Sequence, residues 1–426
     1  MHPVVRLFSI GVVFLATCVA WMVLGGVTHE RNNQQLHALR GKVTELWGSP
    51  QEQRAPELAF RWTTEETETS WEETQDGSRK AVTRVVVRTH EKLMSPSKST
   101  IAVDLDLDMR RKGLMWYPLY DVDFEGGWSY RHGEPQDGEL VVTFPFPTQD
   151  GIYDDFRLVV DGVDRARELV PEAGAVSWSV AVEPGQEVTI GAGYRSRGMT
   201  EWRYVPSSGV ANIENFSLAM TTDFADIDFP AQTMSPSDKS RNGPGWTLRW
   251  DFDQVITGFG VGMVMPERIQ PGELAAELAF SAPVSLLFFF LVIFALATLR
   301  GIELHPINYM FLAGAFFAFH LLFAYSADHL PVSAAFGLSS VVSVALVVSY
   351  LRLVVSPRFA FLEAAGAQMV YLVGFSLAHF WDGYTGLTVT ALSIITLFLL
   401  MQWTGRIKWS EVLSRPPDPV APRQAA

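Results

Sequence analysis

Apolar positions follow two regimes along this 426-residue chain. From Val4 to Val27, and again from about residue 281 onward, they run almost unbroken; between these stretches they alternate with polar residues. The first run, "VVRLFSIGVVFLATCVAWMVLGGV", is interrupted only by Arg6. At 1.5 Å rise per residue, a helix of that length crosses a hydrocarbon core of roughly 30 Å. Five further runs of similar length follow at Ser281–Leu299, Ile307–Tyr325, Val332–Val354, Phe359–His379 and Thr385–Trp403, parted by short polar breaks. The pattern predicts one N-terminal and five C-terminal transmembrane helices.

The middle reads differently. "HERNNQQLHALRGKVTELWG" places Leu36, Leu39, Val43 and Leu46 three and four residues apart, which predicts a helical stalk over 28–48. Beyond it the period shortens to two. In "IAVDLDLDM", Val103, Leu105, Leu107 and Met109 face one way and Asp104, Asp106 and Asp108 the other. In "AVTRVVVRTHE", Val85 and Val87 are interleaved with Arg84 and Arg88. "ELVVTFPFP", "FRLVVDG", "VSWSVAVEPGQEVTIGAGY", "FSLAMTTDF" and "WTLRWDF" continue the alternation between Gly, Pro, Asn and Asp turns. Many short strands with such punctuation predict an antiparallel sandwich or a related all-β domain. The expected organisation is an anchor at 1–27, a β-rich domain at 28–274, a five-helix bundle at 275–404 and a Pro-rich tail at 405–426.

Charge orients this arrangement. With the N-terminus and Arg6 inside, the inner breaks carry Arg300, Arg352 and Arg358, and the tail carries Arg406, Lys408, Arg415 and Arg423; the outer turns carry Asp328 and Asp382 and no cation. Such a distribution obeys the positive-inside rule and predicts both termini in the cytoplasm. Residues 28–274 then lie outside it, in the space that is the periplasm where the source is a diderm bacterium. That segment holds 25 Lys and Arg against 39 Asp and Glu, with no basic stripe, which argues against nucleic acid and against docking on anionic lipid. Cys18 is the only cysteine, so no intrachain disulfide forms. A cleaved signal peptide, or a lipoprotein modified at Cys18, are the alternatives to an anchor. The run exceeds the 7–15 apolar residues of a signal peptide, and Thr17 before Cys18 suits lipidation poorly.

Candidate chemistry is sparse. None of the short hydrolase, nucleotide or zinc-protease signatures is present, and "GYRSRG" lacks the spacing of a serine elbow. Asp104, Asp106 and Asp108 share a strand face, but Ca²⁺ needs a loop that wraps its ligands. Asp154 and Asp155 offer an acid/base pair for a glycan only if they face one another across it. Trp116, Trp128, Trp202, Trp246 and Trp250 serve either as core or as a sugar platform. In the bundle, His320 is the ionisable group well inside a span, with Glu363 near the inner edge and His379 near the outer. One imidazole, with no dehydrated charge pair in view, argues modestly against a proton-coupled transporter.

The stretch "LHPINYMFLAGAFFAFHLLFAYSADHL", Leu304–Leu330, resembles the CreD family of inner-membrane proteins. The plan of one N-terminal helix, a large β-rich domain and a C-terminal bundle is similar over nearly the whole chain. The resemblance implies a role in envelope integrity and envelope stress, including β-lactam and colicin responses, without an established enzymatic activity. His305 and Pro306 correspond to the family's motif; Pro306 also suits the first turn of a helix, where its missing N–H costs nothing. The expectation is an inner-membrane, multi-pass protein that binds another envelope component such as the cell wall, with no enzyme activity, cofactor or metal. A permease with an extracytoplasmic capture domain is the alternative, and a glycan-processing envelope enzyme is a third reading.

Overall fold

The computed structural model describes residues 3–73, 79–381 and 383–405. The chain divides into a helical unit, built from residues through Ala38 and from Ile269 onward, and a β unit, Leu39–Arg268. Asp382 and the basic tail residues Arg406, Lys408, Arg415 and Arg423 lie outside the described residues.

Helix α1 runs without a break from Pro3 to Trp47, so anchor and stalk are one element. Its inward stripe is Ile10, Trp21, Leu24 and Thr28, all buried, while Phe8, Leu15, Val19 and Val23 are exposed. Buried residues at helical spacing with an apolar opposite face describe a helix that packs on one side and meets lipid on the other. After the β unit come α2 (Pro271–Leu299), α3 (Pro306–Ser326), α4 (Val332–Val354), α5 (Phe359–Phe380) and α6 (Thr385–Thr404). Among the described residues, six helices are long and apolar enough to cross a membrane. Helix α2 starts ten residues before the apolar run does, because Pro271 opens it and Glu273 sits in its first turn. Helix α1 packs closely on α2 at Gly25, where a Cβ would meet the Phe280 ring at 2.8 Å. Helix α5 is irregular: Phe359–Ala364 and Met369–Gly374 are π-helical, with one α-turn, Ala365–Gln368, between them.

The β unit contains β1 (Gln51–Arg54), β2 (Glu57–Glu73), β3 (Arg79–Met94), β4 (Lys98–Lys112), β5 (Met115–Arg131), β6 (Gly138–Pro145), β7 (Tyr153–Val160) and β8 (Val163–Asp164). It continues with β9 (Ala175–Val182), β10 (Glu187–Met199), β11 (Glu201–Val205), β12 (Ala211–Thr222), β13 (Asp238–Asn242), β14 (Gly245–Thr257) and β15 (Val261–Val264). They form sheets of eight (β13-β14-β12-β4-β5-β10-β7-β8), four (β3-β2-β6-β9) and three strands (β1-β11-β15). One core joins all three sheets, with Leu105, Phe124 and Trp250 from the largest, Phe60 and Phe144 from the second, and Trp202 and Tyr204 from the third. This is a sandwich-like all-β unit. It is not purely antiparallel, since β12 lies parallel to β4 and β1 parallel to β11. Those strands are remote in sequence, so no hairpin dictates their direction.

One alternating segment does not bury its apolar side. Strand β2 pairs with β3 from Leu58 to Glu73 but with β6 only from Glu57 to Arg61. Beyond that cover the hairpin continues as a two-stranded ribbon, and Val85 and Val87 are 62% and 60% exposed. Their alternation marks a strand without marking a core.

Candidate functional site

In the β unit, the outer face of the eight-stranded sheet gathers most of the acidic residues that the sequence singled out. Register puts Asp104 opposite Asp123 and Asp106 opposite Asp121. Arg197 donates to both oxygens of Asp121 at 2.8 and 3.2 Å, and Arg110 pairs with Asp108 at 2.7 Å. The Asp106 carboxyl is raised above its usual range, first by burial and then by Asp223, Asp104, Asp121 and Asp123. These carboxylates stand on flat strands, and among the described residues no three His, Cys, Asp or Glu converge as a metal-binding set.

Asp154 and Asp155 lie at the start of β7. Asp155 has a left-handed backbone, φ 53°, which a non-glycine residue adopts only when its surroundings hold it there. Arg195 holds its carboxylate in an ion pair, beside the register shift between Gly193 and Arg195. Together with Asp123, Arg157, Asp164 and Arg167 this pair lines an open depression of about 570 Å³. The depression mixes three guanidinium groups with three carboxylates. Ser196 of "GYRSRG" is buried and accepts from Gln51 Nε2 at 2.9 Å. Burial pushes the hydroxyls of Tyr120 and Tyr194 well above their usual range.

The tryptophans divide cleanly. Trp128, Trp202 and Trp250 are core residues, 2% exposed or less. Among the described side chains, Trp62, Trp116, Trp178 and Trp246 are less buried and carry a neighbour on the ring. Arg241 lies 4.0 Å from Trp246, Arg165 4.8 Å from Trp178 and Arg268 4.5 Å from Trp116, and Trp62 stacks between Phe60 and His90. Such cation–π and stacking contacts occupy faces that a sugar ring would need.

In the helical unit, His305 is the N-cap of α3, its Nδ1 accepting from the Ile307 N–H at 3.3 Å, and Pro306 is the first helical residue. His320 is buried, donates from Nδ1 to the Phe316 carbonyl at 3.0 Å, and sits edge-on to Trp21 and Phe319. His379 donates likewise to Phe375 at 3.2 Å. Each imidazole is thus tied to its own helix. Two ion pairs nonetheless form at the edges of the unit, each with a partly exposed arginine, 32% for Arg31 and 54% for Arg300. Arg31 pairs with Asp328 at 3.1 Å, the Asp side chain only 10% exposed. Arg300 pairs with Glu363, which is 16% exposed. In each case the partners are far apart in sequence, on or just past the ends of different helices, so neither pairing is visible in a single stretch of sequence. The bundle also buries uncharged polar side chains. Gln368 and Ser343 are bonded to each other and fully buried, Tyr371 meets Thr396 at 2.8 Å, and Tyr350 donates to Asn308 at 2.8 Å. A Gln in the middle of "FLEAAGAQMVYLVGF" was the available signal.

Six membrane-length helices with a large all-β unit set between the first and second define a multi-pass membrane protein. The chain belongs to the CreD family: the family model for the inner membrane protein CreD matches residues 2–149 and 281–410. Its place is therefore the inner membrane, in contact with lipid. No curated protein matches it. One solved structure similar to part of it is a Legionella pneumophila protein provisionally named as nutrient binding. The two are 12% identical over 53% of this chain and 82% of that one, with a TM-score of 0.27.

Proposed function

We propose that this protein supports envelope integrity by binding another envelope component through its β unit, without catalysis, while the helical unit holds it in the inner membrane. In this reading both termini are cytoplasmic and the β unit is periplasmic, as the distribution of Arg and Lys along the breaks suggests. The observation that carries it is the β2–β3 ribbon. An isolated two-stranded hairpin is marginal in water, and this one extends past its covering strand with Val85 and Val87 exposed. One side carries Val85 and Val87 with Thr67 and Glu65 opposite them, and the other carries the ion pairs from Arg88 to Glu66 and Glu68; such an exposed, mixed ribbon suits a docking arm.

The test is a panel of full-length variants in a deletion strain at matched membrane levels, scored by leakage of a periplasmic reporter. Val85→Asp with Val87→Asp is expected to restore about a tenth or less of the wild-type barrier, whereas Asp154→Asn, Asp155→Asn and His320→Gln restore it fully. Loss confined to the aspartate variants would instead favour the glycan enzyme, and loss confined to His320→Gln the permease. The permease remains the second reading because the apolar bundle interior buries a Gln368–Ser343 pair at the irregular α5.

A further inference from the structure

Gln368 has no exposed surface and lies in α5 directly before the second of its two π-helical turns. Its Nε2 donates to Ser343 Oγ at 2.7 Å, and Ser343 Oγ donates its single hydrogen to the Ala315 carbonyl at 2.6 Å. That second bond fixes the amide's orientation. With the Ser343 hydrogen spent, the atom facing Ser343 has to be the donor nitrogen. Oε1 is left over, and no donor among the described residues reaches it.

Five residues earlier, Glu363 repeats the pattern. One of its oxygens takes Arg300; the other, Oε2, is buried and has no donor among the described residues. The two residues stand about 7 Å apart in backbone rise along the helix. Backbone irregularity surrounds them. Ser285 Oγ donates to the Tyr371 carbonyl inside the second π-turn. Two residues before Ser285, Pro283 withdraws the helical N–H due to the Ala279 carbonyl. In membrane proteins, wide turns and interrupted helices at depth occur where backbone and side-chain oxygens face a ligand. The buried nitrogens without partners in this unit, Arg6 Nε and Trp21 Nε1, are on α1 instead.

What this part of α5 lacks is positive charge or a donor. A divalent ion would call for several hard anionic ligands, and the one carboxylate present is already shared with Arg300. We infer that α5 holds a site for a monovalent cation, with Gln368 Oε1 as ligand and Glu363 Oε2 drawing the ion toward it. The inference does not rest on the envelope-binding reading and would stand if that reading failed.

Thermal unfolding of the purified full chain in lipid nanodiscs, in lithium, sodium or potassium chloride against choline chloride at equal ionic strength, tests it. One alkali cation is expected to raise Tm by about 3 °C or more in a saturable way. Gln368→Leu abolishes that response, and Glu363→Gln raises the half-saturating concentration about tenfold. Equal Tm in choline and in every alkali salt overturns the proposal, as does an unchanged response in Gln368→Leu. Should Gln368→Leu not fold, retention of radioactive sodium or rubidium by the wild-type chain decides: retention displaced by the unlabelled ion supports the site, and none overturns it.

Discussion

Asp106 stands across β4–β5 from Asp121, as Asp104 does from Asp123, and like charges in register weaken a sheet. Burial, with the neighbouring carboxylates, lifts the Asp106 carboxyl above its usual range. A raised folded-state value favours folding fully below the ordinary aspartate pKa, and that contribution is lost as pH rises through the raised one. Above that raised value the Asp106 carboxylate stands charged beside Asp223, Asp104, Asp121 and Asp123. Asp106→Asn is therefore expected to raise Tm by about 1–2 °C at pH 7 and by nothing at pH 3, a modest figure because the group is largely solvated. Scanning calorimetry at both pH values checks this, and a gain at pH 3 would contradict it. The alternation of Asp with Val and Leu in "IAVDLDLDM" revealed which side of β4 these residues occupy. It gave no register, so the facing of aspartates was hidden, and so was the hold of Arg195 on Asp155. Arg31 and Asp328 make the same point in the helical unit: each is an ordinary edge residue until its helix is placed beside the other.

At the scale of elements, period and length carried most of the information. Four of the spans have the ends that hydropathy gives them to within a few residues; α1 continues past its apolar run into the stalk, and α2 differs only where its cap chemistry extends it. Strands with one buried face were equally legible. β5 was not, because Pro118, Gly126 and Gly127 break the usual strand composition of "MWYPLYDVDFEGGWSYR". Gly126 is required there, since a Cβ would meet Trp128 at 2.3 Å. Strand β2 escaped because its outer half, "TTEETETS", has no buried side to alternate with. The π-turns of α5 left no hydropathy signal at all, since they change the backbone and leave the apolar composition alone. The ribbon makes a prediction of its own kind. Val85→Thr and Val87→Thr are expected to shift Tm by less than about 1 °C, whereas Val142→Thr, fully buried in β6, lowers it by about 5 °C or more. Comparable losses at all three positions would mean that the ribbon is packed against something.

For the molecule as a whole, the sequence already separated membrane from β-rich regions, because a bilayer imposes the strictest length and polarity rule that a chain can obey. It could not show how three sheets share one core, since β4 meets β12 and β1 meets β11 across more than a hundred residues each. The account's central claim is that the β unit, held in the membrane, does the protective work. Complementation of a deletion strain tests this most directly, with leakage of a periplasmic reporter and sensitivity to cell-wall antibiotics as readouts. Three versions are compared at matched membrane levels: the full chain, residues 1–274 alone, and the bundle led by a foreign anchor. The account predicts that residues 1–274 restore the barrier to most of the full-chain level and that the bundle alone does not. Restoration by the bundle alone, or a barrier left intact by the deletion under every stress, would contradict it.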